Sequence, residues 1–329
     1  MFRRKMTLII TVFLENIMAQ QLVTIFGGGG FVGTTLVEHL AKTGVRIRVA
    51  VRRPNSAMHV KPLGEVGQVQ VVQANLRDKD SVRAAILGSD AVINLVGVLA
   101  EAGGQKFNAI HEKGAKTVAR LCAEMKVKSL VHMSALGADV DSPSLYGQSK
   151  GRGEQAVLKA FPEATILRPS VIFGAQDQLF NRFAKLAKFP IVPVISGGTK
   201  FQPVYVGDVA EVIVRALRED NMRGQTYELG GAKIYSLREM MELAAKIAKL
   251  TPVFIDVPAF IAPLKVFFLS LLPNAPITLD QYKMLQKDNV VSEDALGLED
   301  LGIEPTLAEV ILPTYLVQYR PKGQFTPES

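Results

Sequence analysis

Five glycines in "TIFGGGGFVGTT" (24–35) overlay two spacings that bring a backbone close to phosphate. Gly28, Gly30 and Gly33 fit GxGxxG, whereas Gly27, Gly30 and Gly33 fit GxxGxxG. Either pattern lets the chain approach a pyrophosphate, and a following helix adds oriented N–H groups and a partial positive charge. The stretch lies between an apolar run, "LVTIF", and an amphipathic pattern, which is the strand–loop–helix context that gives such a motif meaning. Nineteen positions past Gly33 stands Arg52, followed by Arg53. An acidic residue about 20 positions on would hold the ribose 2′-hydroxyl of NAD, whereas arginine suits the 2′-phosphate of NADP. The residues therefore favour NADP(H) over NAD(H); the bland alternative is a pair of solvated arginines.

A second constellation is Tyr146 and Lys150 in "LYGQSK", four positions apart and hence on one helix face. A phenol with a pKa of about 10 is a poor proton carrier at neutral pH. A neighbouring ammonium and a nicotinamide cation would favour its phenolate and lower that value. Ser134, closing the run "SLVHMSA", can hydrogen-bond a substrate carbonyl opposite the tyrosine. Ser134, Tyr146 and Lys150 are thus the candidate catalytic set.

These residues need a scaffold. Apolar runs at 22–26, 46–51, 68–74, 91–97, 129–135 and 164–174 read as strands, alternating with helical patterns such as Phe31 to Gly44. Val32, Leu36, Val37 and Leu40 share one face of that helix, and Gly44 stops it. Such alternation predicts an α/β fold, a doubly wound parallel sheet of Rossmann type. Beyond Gly174 helical stretches dominate ("DQLFNRFAKLAKF", "SLREMMELAAKIAKL"), with short strand candidates at "FQPVYV" and "TYELGG". The expected organisation is a dinucleotide-binding domain over 18–174, to which 201–231 returns, and a smaller, mainly helical C-terminal lobe over 175–200 and 232–329. Residues 1–17 are read as an extension outside the fold: "MFRRKMTLIITVFL" is too short to span a bilayer, and Met18 leads almost directly into the first strand.

Composition narrows the classes. A net charge of +7 on 329 residues could serve an anionic cofactor, lipid or nucleic acid, but no run of five like charges and no Trp occur, so no nucleic-acid signature is present. The single cysteine, Cys122, rules out an intrachain disulfide, and His39, His59, His111 and His132 lack metal-ligand spacing, so no metal is expected.

Taken together, the glycine loop, the strand-end serine and YxxxK resemble the short-chain dehydrogenase/reductase superfamily in its extended or atypical, epimerase/dehydratase-like branch. The resemblance covers nearly the whole chain from Met18. It selects Gly27, Gly30 and Gly33 as the functional triplet, with Gly28 and Gly29 as inserts and Phe31 and Val32 opening the helix against the cofactor. It implies that Asn75 and Leu76 of "NLRD" contact adenine and that Leu95, Val96 and Gly97 of "NLVG" lie under the adenosine ribose. Pro169 and Val171 of "RPSVIFG" would flank the nicotinamide, with Tyr146 and Lys150 also touching cofactor, and "VYVGDVA" (204–210) looks like the family's helix start in the second half. More narrowly, "VRIRVAVRRP", "VHMSALGAD", "FQPVYVGDVAE" and "YRPKGQF" look like the bacterial relatives of the nucleotide-binding accessory subunit of respiratory complex I. That resemblance implies tight NADPH binding with little or no turnover, and a partnership with complex I or quinone-related membrane proteins. The corresponding location is cytoplasmic, peripheral on the inner membrane. A working carbonyl reductase using Ser134, Tyr146 and Lys150 is the alternative, and a redox-sensing module a third.

Two departures and one patch complete the reading. Where extended members carry Asn three residues before a glycine, this chain has His111 before Gly114, either a proton relay or a packing residue. Gly151 and Gly153 interrupt the Tyr146 helix, each costing about 1 kcal/mol there, through close approach of something or through drift. Lastly, "VPAFIAPLKVFFLSLLP" (257–273) is apolar around a whole helix, so 257–272 is expected to be buried or to face a membrane surface.

Overall fold

A computed structural model describes residues 21–258, 260, 263 and 277–322. The 1–17 extension and most of the 257–272 stretch lie outside the described residues. Strands β1 (Leu22–Phe26), β2 (Arg46–Val51), β3 (Val69–Gln73), β4 (Ala91–Asn94), β5 (Ser129–Met133), β6 (Thr165–Pro169) and β11 (Thr226–Leu229) form one seven-stranded sheet, ordered β11-β6-β5-β4-β1-β2-β3. From β3 to β6 every neighbouring pair is parallel. Order reverses at β1, which pairs with β2 on one side and β4 on the other. At that switch point the loops leaving the strand ends part and leave a crevice.

Local sequence explains these elements. Parallel strands covered on both faces read as continuous apolar runs, and all five residues of β5 are buried. Helices α1 (Phe31–Ala41), α2 (Lys79–Ile86), α3 (Ala115–Glu124) and α4 (Leu145–Ala160) carry the crossovers. Leu36, Val37 and Leu40 of α1 are buried as their spacing predicts, while Val32, in the first turn beside the loop, is only half-buried. Asp78 caps α2 by accepting the Asp80 and Ser81 N–H groups. One core joins Phe26, Ile86, Val92, Leu121, Cys122, Leu130 and Ile166, each large side chain contributing about 1.5–3 kcal/mol.

Four expected strands are shorter than their apolar runs: 68–74 yields only Val69–Gln73 and 129–135 only Ser129–Met133, and two others differ more. The 91–97 run ends at Asn94 because the Asn94 side-chain oxygen accepts the Val96 N–H (3.2 Å) and His111 accepts that of Val98 (2.9 Å). The 164–174 run divides at Ser170 into β6 and β7 (Ile172–Phe173), which pairs instead with β10 (Val204–Tyr205).

The described residues divide into two compact units, one within 1–134, 149–167 and 209–226, the other within 135–148, 168–208 and 227–329. Within the second, helices α5 (Leu179–Leu186), α7 (Leu237–Ile247) and α9 (Ala308–Leu316) pack Phe180, Met240 and Leu312 into a separate core around Phe173. Asp177 begins α5 by accepting the Phe180 N–H at 2.7 Å and also takes the Tyr315 hydroxyl, fastening α9 to α5. Beside that core lie an antiparallel pair of β9 (Lys200–Phe201) and β12 (Tyr235–Ser236) and a two-stranded parallel ribbon of β8 (Ile191–Val194) and β13 (Val253–Asp256). Among the described residues no helix is long and apolar enough to cross a membrane.

Candidate functional site

The glycine loop distributes its work unevenly. Gly27 has φ +82°, a left-handed conformation that favours glycine. Its N–H donates to Ala50 O and its carbonyl accepts from Gly30 N, both at 3.0 Å, closing the turn after β1. A Cβ on Gly33 would lie 2.5 Å from Gly28 Cα and 2.6 Å from Gly27 O, so glycine here lets α1 sit directly on the loop. Gly28 and Gly29 are tightly placed as well: a Cβ on Gly28 would be 3.1 Å from Val49, and one on Gly29 2.5 Å from Ala57. Gly30 differs. Its Cβ would meet only Gly27 O, at 3.3 Å, and would otherwise enter the crevice.

That crevice is a cavity of about 450 Å³ within the first unit. It gathers Gly27, Gly30, Arg52, Arg53, Asn75, Leu76, Leu95, Val96 and Gly97 from four separate strand ends. Arg52 and Arg53 are exposed at its rim, and among the described residues no acidic one lines it. Phe26, Ala50, Val51, Ser56, Ala74, Gln105 and Ile110 also line it and were not singled out from the sequence. Phe26, Ala50, Val51 and Ala74 lie at or next to the carboxyl ends of β1, β2 and β3, recoverable from the rule that ligands sit there; Ser56, Gln105 and Ile110 lie beyond the strand ends and carry no such signal. Phe31, Val32 and Gly33 lie behind the loop in α1, outside the lining.

The remaining candidates are distributed. Lys150 is buried, donates to Met133 O at 3.1 Å, and lies next to Gly97, whose Cβ would be 3.3 Å from the ammonium. Burial pushes its pKa down to about 8, against a partial rise from Glu154. Ser134 is buried just past the end of β5, and its hydroxyl has no hydrogen-bond partner among the described residues. An orphaned buried hydroxyl costs about 1–3 kcal/mol, which a ligand acceptor would recover. Tyr146 belongs to the second unit, one turn before Lys150 on α4, and burial pushes its phenol up to about 12 rather than down. Asp280 accepts the Tyr146 and Leu145 N–H groups, at 3.0 and 2.6 Å, and caps that helix. Pro169 and Val171 serve as backbone acceptors in the second unit, for Leu136 N and Val204 N, each at 3.0 Å.

His111 is fixed. It lies in a π-helical turn (Asn108–Gly114), with Nε2 accepting the Val98 N–H at 2.9 Å and Nδ1 2.8 Å from Ser149 Oγ. Nε2 is therefore the acceptor, and Nδ1 bears the proton that goes to Ser149. Burial, with the Lys150 ammonium, lowers its pKa to about 3, so it stays neutral and packs the turn. His132 behind it accepts from Asn94 (3.2 Å), its pKa likewise lowered to about 3 by burial. Gly153 has its reason here too: a Cβ would lie 2.2 Å from His111 O, so α4 approaches that turn backbone to backbone.

A switch-point crevice, a glycine turn and a helix seated on it define a dinucleotide-type α/β domain. The model of the NAD dependent epimerase/dehydratase family matches residues 23–230, and the chain belongs to that family. Among individual proteins, it is 36% identical over 316 residues to "NADH dehydrogenase (ubiquinone) 1 alpha subcomplex subunit 9, mitochondrial" of Arabidopsis thaliana, covering 92% of this chain and 79% of that protein. The Mus musculus protein of that name is 34% identical over 293 residues, covering 88% and 78%. A ceramide reductase of Caulobacter vibrioides is 30% identical over 243 residues, covering 73% and 74%. The fold is shared with an NADPH-dependent quinone oxidoreductase from Escherichia coli solved with NADPH, at TM-score 0.70 and 19% identity, over 89% of this chain and 98% of that one.

Proposed function

We propose that this chain binds NADP(H) in the β1/β4 crevice and acts as a nucleotide-binding accessory subunit of a respiratory NADH:ubiquinone oxidoreductase, peripheral to the inner membrane. The observation that carries the cofactor part is the crevice itself: two arginines at the end of β2, no carboxylate among the described lining residues, and space at Gly30 where a side chain would begin. The assembly part rests on the Arabidopsis and mouse relatives, which align over more than three-quarters of their own length. In this arrangement Gly27 and Gly30 give the pyrophosphate its backbone approach, and Arg52 and Arg53 pair with the 2′-phosphate. Asn75, Leu76, Leu95 and Val96 flank the adenosine. When bound, NADP(H) would supply a hydride-transfer couple, and Lys150, beside Gly97, would hold the ribose hydroxyls.

The test has two arms. Mass spectrometry of nucleotide released from purified protein should find NADP(H), and Arg52→Asp should weaken NADPH by a few kcal/mol, the scale of lost charge-assisted hydrogen bonds, while NADH binds no worse. Equal loss for both nucleotides refutes the 2′-phosphate contact. The tagged protein should also migrate with the oxidoreductase on native gels, and its absence there would remove the accessory role.

One observation favours a second reading, a carbonyl reductase: the buried Ser134 hydroxyl that lacks a partner among the described residues. A Tyr146 phenol held up to about 12 keeps its proton at neutral pH, which suits donation to a carbonyl oxygen as the carbon is reduced. In that case Tyr146→Phe should abolish NADPH-dependent turnover of carbonyl substrates with cofactor affinity intact. A wild-type protein that leaves NADPH unoxidised across carbonyl and quinone panels rules it out.

A further inference from the structure

The ribbon of β8 and β13 is apolar on both faces. Val192 and Val194 point inward and are buried, with Phe254 packed against the same core. On the outward face the parallel register sets Val253 beside Ile191 and Ile255 beside Pro193. Ile191 is 58% exposed, Val253 59% and Ile255 49%; Phe189, just before β8, is 62% exposed. A strand whose outward positions are aliphatic has the composition of a sheet covered on both sides, and clustered exposure of this kind marks a contact surface.

The flanking charge says what kind. Both strands begin within six residues of a helix C-terminus, α5 ahead of β8 and α7 ahead of β13. Lys185 and Lys246 stand in those last turns, and Lys188 follows α5; all three are exposed. From 178 to 207 the chain carries four cations and no acidic residue, and from 243 to 255 two cations and none. The ribbon's own carboxylate, Asp256, is held by Arg238 at 2.7 Å. Apolar side chains at the centre and lysines at the margin match a lipid leaflet: the aliphatics enter the acyl boundary while ammonium groups meet anionic headgroups. A second copy of the chain would bring the same lysines face to face.

We propose that the outward face of the β8/β13 ribbon docks on an anionic membrane surface. The docking rests on the peripheral inner-membrane reading above and gives it a surface; it is independent of nucleotide in the β1/β4 crevice, so it stands or falls apart from the cofactor assignment and from co-migration with the oxidoreductase. The experiment is flotation of the full chain with phosphatidylcholine vesicles, with and without phosphatidylglycerol, in the presence and absence of NADPH. Wild type should float with the anionic vesicles alone, equally in both nucleotide conditions, and lose most of that binding at high salt. Ile191→Ser/Ile255→Ser should weaken partitioning about tenfold or more, since two outward aliphatics no longer enter the boundary. Lys185→Gln/Lys246→Gln changes only exposed helix-end charges; it should stay folded, with a melting temperature lowered by a few degrees at most, and abolish the preference for anionic lipid. Wild type that does not float, or that floats undiminished in either variant, overturns the proposal. So does a dimer in sedimentation equilibrium that the ribbon variant dissociates, which would make a second copy the occupant.

Discussion

The glycine loop separates two jobs that one motif usually confounds, and a pair of alanines tests the separation. At Gly33 the new Cβ would sit 2.5–2.6 Å from three backbone atoms of Gly27 and Gly28. Ordinary carbon contacts are about 3.5–4.0 Å, so α1 and the loop must part by about 1 Å. Overpacking against backbone costs about 1–3 kcal/mol, against a gain of about 1 kcal/mol for alanine over glycine inside a helix. The net expectation is a loss of up to about 2 kcal/mol, or up to several degrees of melting temperature for a domain this size. At Gly30 the dihedrals, φ −88° and ψ −177°, are open to alanine, and the nearest atom is Gly27 O at 3.3 Å. A less favourable N-cap and a less flexible unfolded chain nearly cancel, leaving stability within about 0.5 kcal/mol. The methyl group then stands in the crevice, and NADPH affinity should fall about tenfold or more, a tenfold change being about 1.4 kcal/mol. Urea melts and titration calorimetry on both variants read the two quantities separately. A Gly33→Ala protein that melts like wild type, or a Gly30→Ala protein that binds NADPH like wild type, would refute the assignment of packing to one glycine and phosphate approach to the other.

The two buried histidines make stability depend on pH. His111 and His132 titrate at about 3 in the fold, against an ordinary value of about 6.5, so between these pH values the unfolded chain binds protons that the fold refuses. Stability should therefore be full above about pH 6.5 and fall steadily as pH drops toward 3; a His132→Gln variant should show a shallower slope in urea melts, and an unchanged slope would contradict the neutral assignment. Gly153→Ala should destabilise by up to about 2 kcal/mol in the same assay, because its Cβ would lie 2.2 Å from His111 O and alanine recovers only about 1 kcal/mol over glycine in a helix, whereas a stabilising result would show that the α4 contact yields.

Local chemistry alone made much of this protein legible. Strands β1 and β2 coincide with the apolar runs 22–26 and 46–51, because a doubly covered parallel strand must be apolar along its length and turn residues bound it. The order of strands and helices implied the doubly wound sheet, since right-handed crossovers leave few alternatives. The residues that meet at the crevice were accessible in part, as Arg52, Asn75 and Leu95 each follow a strand and strand ends converge at the switch point. Other features depended on contacts between segments far apart in the chain. The β4 strand stops at Asn94 because side chains, His111 among them, take the next backbone donors, and periodicity does not register a donor lost to a distant residue. Gly153 looked like a weakness in a helix until the His111 carbonyl was placed against it, and Tyr146 looked like a phenol with a lowered pKa until burial raised it. Propensity and spacing act along the chain and can be read from it; desolvation and close approach are set by what tertiary packing brings alongside, and only the folded arrangement decides them.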